Sequence, residues 1–171
     1  MGLDNIPRNY PCKTGGTAVM VNMKDHQTGE DYINENGEPE LQIDCDATQE
    51  CGGCPWKNKV AGEGAVYGIL GTSCWYRGKY GAVLLDAAGI DANPLWGDGD
   101  GEVTPDVCRG IADEMREYAE NYAEVEADGE KRITIRDPYD GEDADVTDQF
   151  FYLIRWLEWV AEDCDGAVAW Y

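Results

Sequence analysis

The stretch Cys45-Asp-Ala-Thr-Gln-Glu-Cys51-Gly-Gly-Cys54-Pro-Trp56 places three thiols within ten residues, with two adjacent glycines between the last pair. Two cysteines separated by two residues can turn both sulfurs onto one ion, and Gly52 and Gly53 let the backbone fold tightly enough to permit it. Pro55 keeps the turn from running on as a helix. The spacing predicts a metal knuckle, a cysteine-rich loop over residues 45–56. Zinc is the expected ion, and an iron–sulfur cluster is the alternative. Cys45, Cys51 and Cys54 supply three thiolates, whereas tetrahedral zinc takes four ligands. Cys12 is the first choice for the fourth, because Tyr10-Pro11-Cys12-Lys13-Thr14-Gly15-Gly16 again bends the chain around a thiol. Cys74 is the second choice, and His26, the only histidine, is the third.

Disulfides compete with the metal. Against them stand an odd total of seven cysteines and an opening, Met1-Gly-Leu-Asp-Asn-Ile6, that is neither basic nor followed by an apolar core. Reduced thiols and an intracellular, cytoplasmic setting are therefore expected. No apolar run approaches the roughly 20 residues that span a bilayer, so no membrane partner is expected. A length of 171 residues suits one domain and a core that forms without a metal, so the ion would hold a loop rather than the fold.

Thirty-five acidic residues against thirteen basic ones give a formal charge of −22, which excludes nonspecific binding to nucleic acid or anionic lipid. Three origins produce such a composition: a salt-adapted, halophilic source, mimicry of a phosphate backbone, or a plain acidic protein. The distribution says more than the total. Residues 25–54 carry nine acids and no base, whereas residues 55–85 carry Lys57, Lys59, Arg77 and Lys79 against Glu63 alone. Within that basic window Trp75, Tyr76, Arg77, Lys79 and Tyr80 sit where a loop enters a helix over Ala82–Ala88, closed by Gly89. Exposed N–H groups and the helix dipole favour anions there, and aromatics beside cations can stack on a base or sugar. These five residues are the candidate ligand site. The competing reading makes Trp75 and Tyr80 core, with the bases balancing nearby acids.

Elsewhere the pattern predicts an α+β domain, a mixed or antiparallel sheet packed by two main helices. Thr17–Met23 and Glu40–Asp44 read as the strands of a β-hairpin with a long polar tip turning at Asn36-Gly37. Ala65–Leu70 reads as a further strand. Gly97–Glu102 resembles a calcium loop, but placing Gly101 at the obligatory glycine puts Trp96 and Val107 at ligand positions, so it reads as an acidic turn. Thr104 and Pro105 open a helix with Val107, Ile111, Met115, Tyr118 and Tyr122 on one stripe. Lys131–Arg136 alternates as a half-buried strand, Thr147 is placed to cap a helix through Phe150–Ala161, Asp165-Gly166 breaks it, and Ala167–Tyr171 makes a last strand.

Met1-Gly-Leu-Asp4, the Tyr76–Tyr80 loop entering a helix that ends at Gly89, the acidic turn from Asp98 to Thr104, and a tryptophan-bearing last helix followed by Asp165-Gly166 and a strand together resemble a loose group of small proteins of bacteria and their phages. The resemblance covers under half of the chain. It implies a phage or mobile-element origin and no activity, and the cysteine knuckle departs from it.

Enzyme chemistry finds little footing. One histidine lies in a polar stretch, no nucleotide-binding glycine fingerprint, Walker loop or zinc-protease helix is present, and Cys108 and Cys164 read as small core residues on helices. The expected function is that of an acidic, non-enzymatic binding protein with a structural metal site, sequestering a phosphorylated small molecule or a host protein. A virion or other structural component and a small hydrolase of phosphorylated substrates are the alternatives.

Overall fold

The computed structural model describes residues 4–25, 27–48, 54, 76–96, 102–136 and 141–170, apart from the side chains of residues 77–80, 96 and 170. In chain order the elements are β1 (Asp4–Pro7), α1 (Pro11–Thr14), β2 (Met20–Asn22), β3 (Leu41–Ile43), β4 (Tyr76–Arg77), α2 (Gly78–Ala88), α3 (Asn93–Trp96) and β5 (Glu102–Val103). There follow α4 (Pro105–Tyr122), β6 (Glu124–Val125), β7 (Lys131–Arg132), β8 (Thr134–Arg136), β9 (Asp143–Asp145), α5 (Thr147–Asp163) and β10 (Ala167–Trp170). The class is α+β, as the sequence pattern predicts. A four-stranded antiparallel sheet runs β4-β1-β10-β5, and β2-β3, β6-β7 and β8-β9 form separate antiparallel pairs.

Helix α4 starts where expected. Thr104 is extended and its hydroxyl accepts the Val107 N–H at 3.4 Å, while Pro105 fills the first turn, where a missing N–H is harmless. Cys108, Ile111, Ala112, Met115 and Ala119 bury one stripe of it, and α4 packs along α5. Tyr122 departs from the expected stripe: it is 70% exposed and stacks on Tyr118 at 5.0 Å between ring centroids. At 100° per residue it shares the face of Ile111 and Met115, but it is the last residue of α4 and lies beyond Ala119, the last that the helix buries.

Helix α5 is enclosed on more than one side. Phe150, Leu153, Ile154, Trp156, Leu157 and Val160 are fully buried. Tyr76 of β4 sets its ring 5.3 Å from Trp156. Gly81 of α2 comes so close that an added Cβ would stand 3.0 Å from the Tyr76 ring and 3.3 Å from Leu153. Thr147 does not cap α5 as expected but is its first helical residue. The Asp145 carboxylate accepts both the Thr147 N–H at 3.0 Å and its hydroxyl at 2.7 Å, which holds Asp145 below the usual carboxylate range. The Thr147 oxygen accepts the Ile133 N–H at 2.8 Å, tying the helix to the β7–β8 junction. That sideways bond also explains why the expected strand over 131–136 is split at Ile133, although Ile133 and Ile135 are buried and their neighbours exposed, as alternation predicts.

The Asp165-Gly166 break has a positive φ at both residues, 57° and 88°. It turns the chain into β10, which lies between β1 and β5 with Pro7 opposite Ala167 and Asp4 opposite Trp170. The chain around Asn9 is fastened to the same corner: the Arg8 N–H donates to the Gly166 carbonyl and the Asn9 N–H to the Cys164 carbonyl, each at 3.0 Å. The expected strand at 65–70 and the acidic turn at 97–101 lie outside the described residues.

Candidate functional site

Three groupings bear on function: the thiols, the aromatic-basic segment and the β2–β3 arm. Of the expected metal ligands, Cys12, Cys45 and Cys54 are described and all are buried, at 6%, 3% and 2% exposure. They belong to one contiguous core cluster with Cys108 and Cys164, and none of the five is in a disulfide. Backbone bonds draw their segments together. Cys12 lies in α1, its carbonyl accepts the Ala18 N–H, and Val19 in turn accepts the Asp44 N–H at 2.8 Å, one residue before Cys45. Burial pushes the Cys108 thiol up to about 12. Cys164 is also pushed up, by burial first and then by nearby Cys54, Asp163, Cys12 and Cys108. Soft sulfur donors in a dry setting suit zinc. Among the described residues, however, no three histidine, cysteine, aspartate or glutamate side chains converge as a metal-holding group. Cys12, Cys45 and Cys54 thus do not form such a group by themselves, and Cys51, the fourth of the expected set, lies outside the described residues. His26 and Cys74 lie outside them too.

The aromatic-basic segment is divided. Tyr76 is 1% exposed and packs on Trp156, so its ring is part of the core. Arg77 ends β4, Lys79 and Tyr80 lie in the first turn of α2, and Trp75 lies outside the described residues.

Among the described residues the β2–β3 arm is the most exposed apolar feature. Met20 pairs with Ile43, Val21 with Gln42 and Asn22 with Leu41, realising the expected hairpin. Beyond the paired strands the polar tip is built from local bonds. The Met23 N–H donates to the Glu40 carbonyl at 2.7 Å, the Tyr32 N–H to that of Met23 at 2.9 Å, and the Glu40 N–H to that of Tyr32 at 2.8 Å. At the turn, the Asn34 side-chain oxygen accepts the Asn36 and Glu38 N–H groups, and Gly37 takes φ +81° as a turn of this hand requires. Asp31 accepts from the Asn22 amide at 3.0 Å and pairs with Lys24; these contacts hold it below the usual carboxylate range. At the root, buried Thr48 accepts the Val19 N–H at 3.0 Å and donates to the Asp44 carbonyl at 2.7 Å. The arm is therefore pinned at its base and internally bonded along its length.

Yet among the described residues no second layer covers the face that carries Met20 and Leu41. Val19, Met20, Tyr32, Ile33 and Leu41 are five of the eight large apolar side chains exposed among the described residues. A groove of about 440 Å³ is lined by Ile6, Tyr10, Met20, Met23, Leu41 and Ile43 together with one cation, Lys13, and one carboxylate, Glu40. An adjoining open concavity of about 680 Å³ shares Tyr32, Glu40 and Leu41 and runs along Glu35 and Glu38. Sequence reasoning took this segment only as a hairpin. The run Ala18-Val-Met-Val21 carries no sign of whether a second layer covers it.

Comparisons with protein-family models, with curated proteins and with solved structures found no match. No helix among the described residues is long and apolar enough to cross a membrane.

Proposed function

We propose that this chain is an acidic, non-enzymatic binding protein whose working surface is the β2–β3 arm, on which it holds a protein partner. The observation that carries the reading is the concentration of exposed Val19, Met20, Tyr32, Ile33 and Leu41 on one pinned hairpin. Met20, Tyr32 and Leu41 line one groove; apolar surface of this kind on an otherwise charged protein marks an interaction site, and methionines such as Met20 and Met23 adapt to a partner's shape. A phage or mobile-element accessory protein that occupies a host factor fits this surface better than one that sequesters a phosphorylated small molecule, because Tyr76 is committed to the core.

In the same proposal Cys12, Cys45, Cys51 and Cys54 hold a zinc ion at the arm's root, where it would fasten the loop over 45–56 to the hairpin. Elemental analysis of protein purified under reducing conditions should give one zinc per chain, lost in Cys51→Ser and Cys54→Ser. Metal-free wild-type protein would remove the zinc from the reading and leave the docking surface standing.

Docking is tested with a photo-crosslinking amino acid at Ile33 and, as control, at Glu117 on α4. In extracts of the native host, discrete adducts from Ile33 and none from Glu117 are expected. Equal labelling from both positions overturns the reading, as does turnover of any member of a nucleotide panel by the purified chain.

A further inference from the structure

From the charge around the groove we infer that the occupant of the arm is a cationic amphipathic segment of a protein partner, its apolar side chains in the groove beside Met20, Met23 and Leu41 and its lysines or arginines over Glu35, Glu38 and Glu40. The inference rests on the docking reading above and adds the partner's chemistry to it.

Two observations support it. First, the two concavities differ in character yet share Tyr32, Glu40 and Leu41, so the surface grades from apolar at the root to carboxylate-lined at the tip. An apolar segment alone would leave the tip unused, and a polar basic segment would leave the root uncovered. Second, the charge on the hairpin is one-sided, and Lys13 is the one cation lining the groove at its root. Residues 19–46 carry Asp25, Glu30, Asp31, Glu35, Glu38, Glu40, Asp44 and Asp46 against Lys24 alone, and Lys24 is already paired with Asp31. Glu30, Glu35, Glu38 and Glu40 are all exposed. An anionic partner would meet this cluster and the net charge of −22 together. A cationic one gains a steered approach and a fixed orientation on the groove. Helices with one apolar stripe and a basic face bind other grooves of this composition by the same division of labour.

The test uses the full chain and three synthetic peptides of equal length: a leucine–lysine amphipathic helix, its leucine–glutamate counterpart, and a serine–lysine version without apolar residues. Binding is read by fluorescence anisotropy. The leucine–lysine peptide should bind saturably at least about tenfold more tightly than either of the others, the loss expected from removing one well-buried apolar contact or more. Affinity should fall between about 50 and about 500 mM salt as the screening length shortens. In the chain, Ile33→Ser with Leu41→Ser should weaken binding by about tenfold or more, and Glu38→Gln with Glu40→Gln by several-fold, with circular dichroism and thermal midpoint unchanged. All four side chains are exposed, so loss of folding is not the expected cause of any effect.

Equal affinity for the leucine–lysine and leucine–glutamate peptides, both lost in Ile33→Ser with Leu41→Ser, overturns the cationic occupant and keeps the docking surface. Binding of every peptide unmoved by the arm variants overturns both. Equal binding of the serine–lysine peptide reduces the surface to nonspecific charge and overturns the inference. Self-association of the chain that Leu41→Ser abolishes, seen by analytical ultracentrifugation, would name a second copy as the occupant in its place.

Discussion

Two glycines with nearly the same φ separate conformational strain from steric exclusion. Gly129, in the turn between β6 and β7, has φ +87°, and Gly166, at the exit of α5, has φ +88°. An added Cβ at Gly129 would meet nothing within 4 Å, whereas at Gly166 it would stand 2.4 Å from the Val103 carbonyl oxygen and 3.2 Å from Pro105. Alanine at either site should cost about 1–2 kcal/mol for the left-handed backbone. At Gly166 the β5–α4 junction must also move away, and overpacking of this kind adds about 1–3 kcal/mol. The junction cannot give readily, because Val103 is registered opposite Ala167 of β10 and Pro105 opens α4. Gly166→Ala should therefore be destabilised by about 2–5 kcal/mol and exceed Gly129→Ala by about 1–3 kcal/mol. At about 2–4 °C per kcal/mol for a chain of this size, the two thermal midpoints should differ by about 2–12 °C. Urea titration of both variants gives the free energies, with matching m-values as the check that one transition is being compared. Equal losses at the two sites would refute the steric argument and leave only the shared φ.

Two further perturbations test the core and its surface. The buried thiols predict weakening in alkali: Cys108 has a reference value of 9.0 and is raised to about 12 by burial, and Cys164 is raised as well. Their contribution is complete below pH about 9. As pH rises from there toward 12 the unfolded chain gives up protons first, so stability should fall by up to about 1.4 kcal/mol per pH unit per thiol. Urea midpoints at successive pH values should show the decline, with a shallower slope in Cys108→Ala; a flat profile would mean the thiols are not shielded. Arg116 of α4 pairs with Glu158 of α5, but the two side chains are 48% and 32% exposed. A double-mutant cycle with Arg116→Ala and Glu158→Ala should return only about 0.2–1 kcal/mol of coupling, and coupling above about 2 kcal/mol would show that solvent does not screen the pair.

What the sequence made legible was what local chemistry decides. The Asn36-Gly37 turn, the Thr104 cap with Pro105, the helix through Trp156 and the Asp165-Gly166 break each follow from one or two residues whose preferences act over a single turn. The main sheet was legible only at β10. Strand β1 is Asp4-Asn-Ile-Pro7, and its burial of Asp4 and Asn5 follows from the pairing with β10 and β4, not from any hydrophobic alternation. Strands β4 and β5 are two residues each, too short for a period to register. Tyr122 and Thr147 depart from expectation for different reasons: Tyr122 has the right spacing but ends its helix beyond the last buried residue, whereas the Thr147 hydroxyl donates to Asp145 and Thr147 is itself helical. The candidate site divides in the same way. The burial of Cys12, Cys45 and Cys54 agrees with residues of one dry cluster, but a run such as Ala18-Val-Met-Val21 looks the same whether a second layer covers it or not. Only the placement of the arm shows that none among the described residues does.

The place of β10 in the middle of the sheet also sets a time. Pro7 and Ala167 face each other across 160 positions of chain. At about 5–20 residues per second of synthesis, β1 waits roughly 8–32 s before its neighbour exists. Throughout that interval β1 lacks the neighbour that joins it to β5, and pairing so distant in sequence is slow to form even once both strands exist. The helices can gather beforehand, but the sheet cannot close around an absent middle. A chain without residues 167–170 loses the strand between β1 and β5 and not a trimming at the edge, so the assembled sheet reports that β10 has been made.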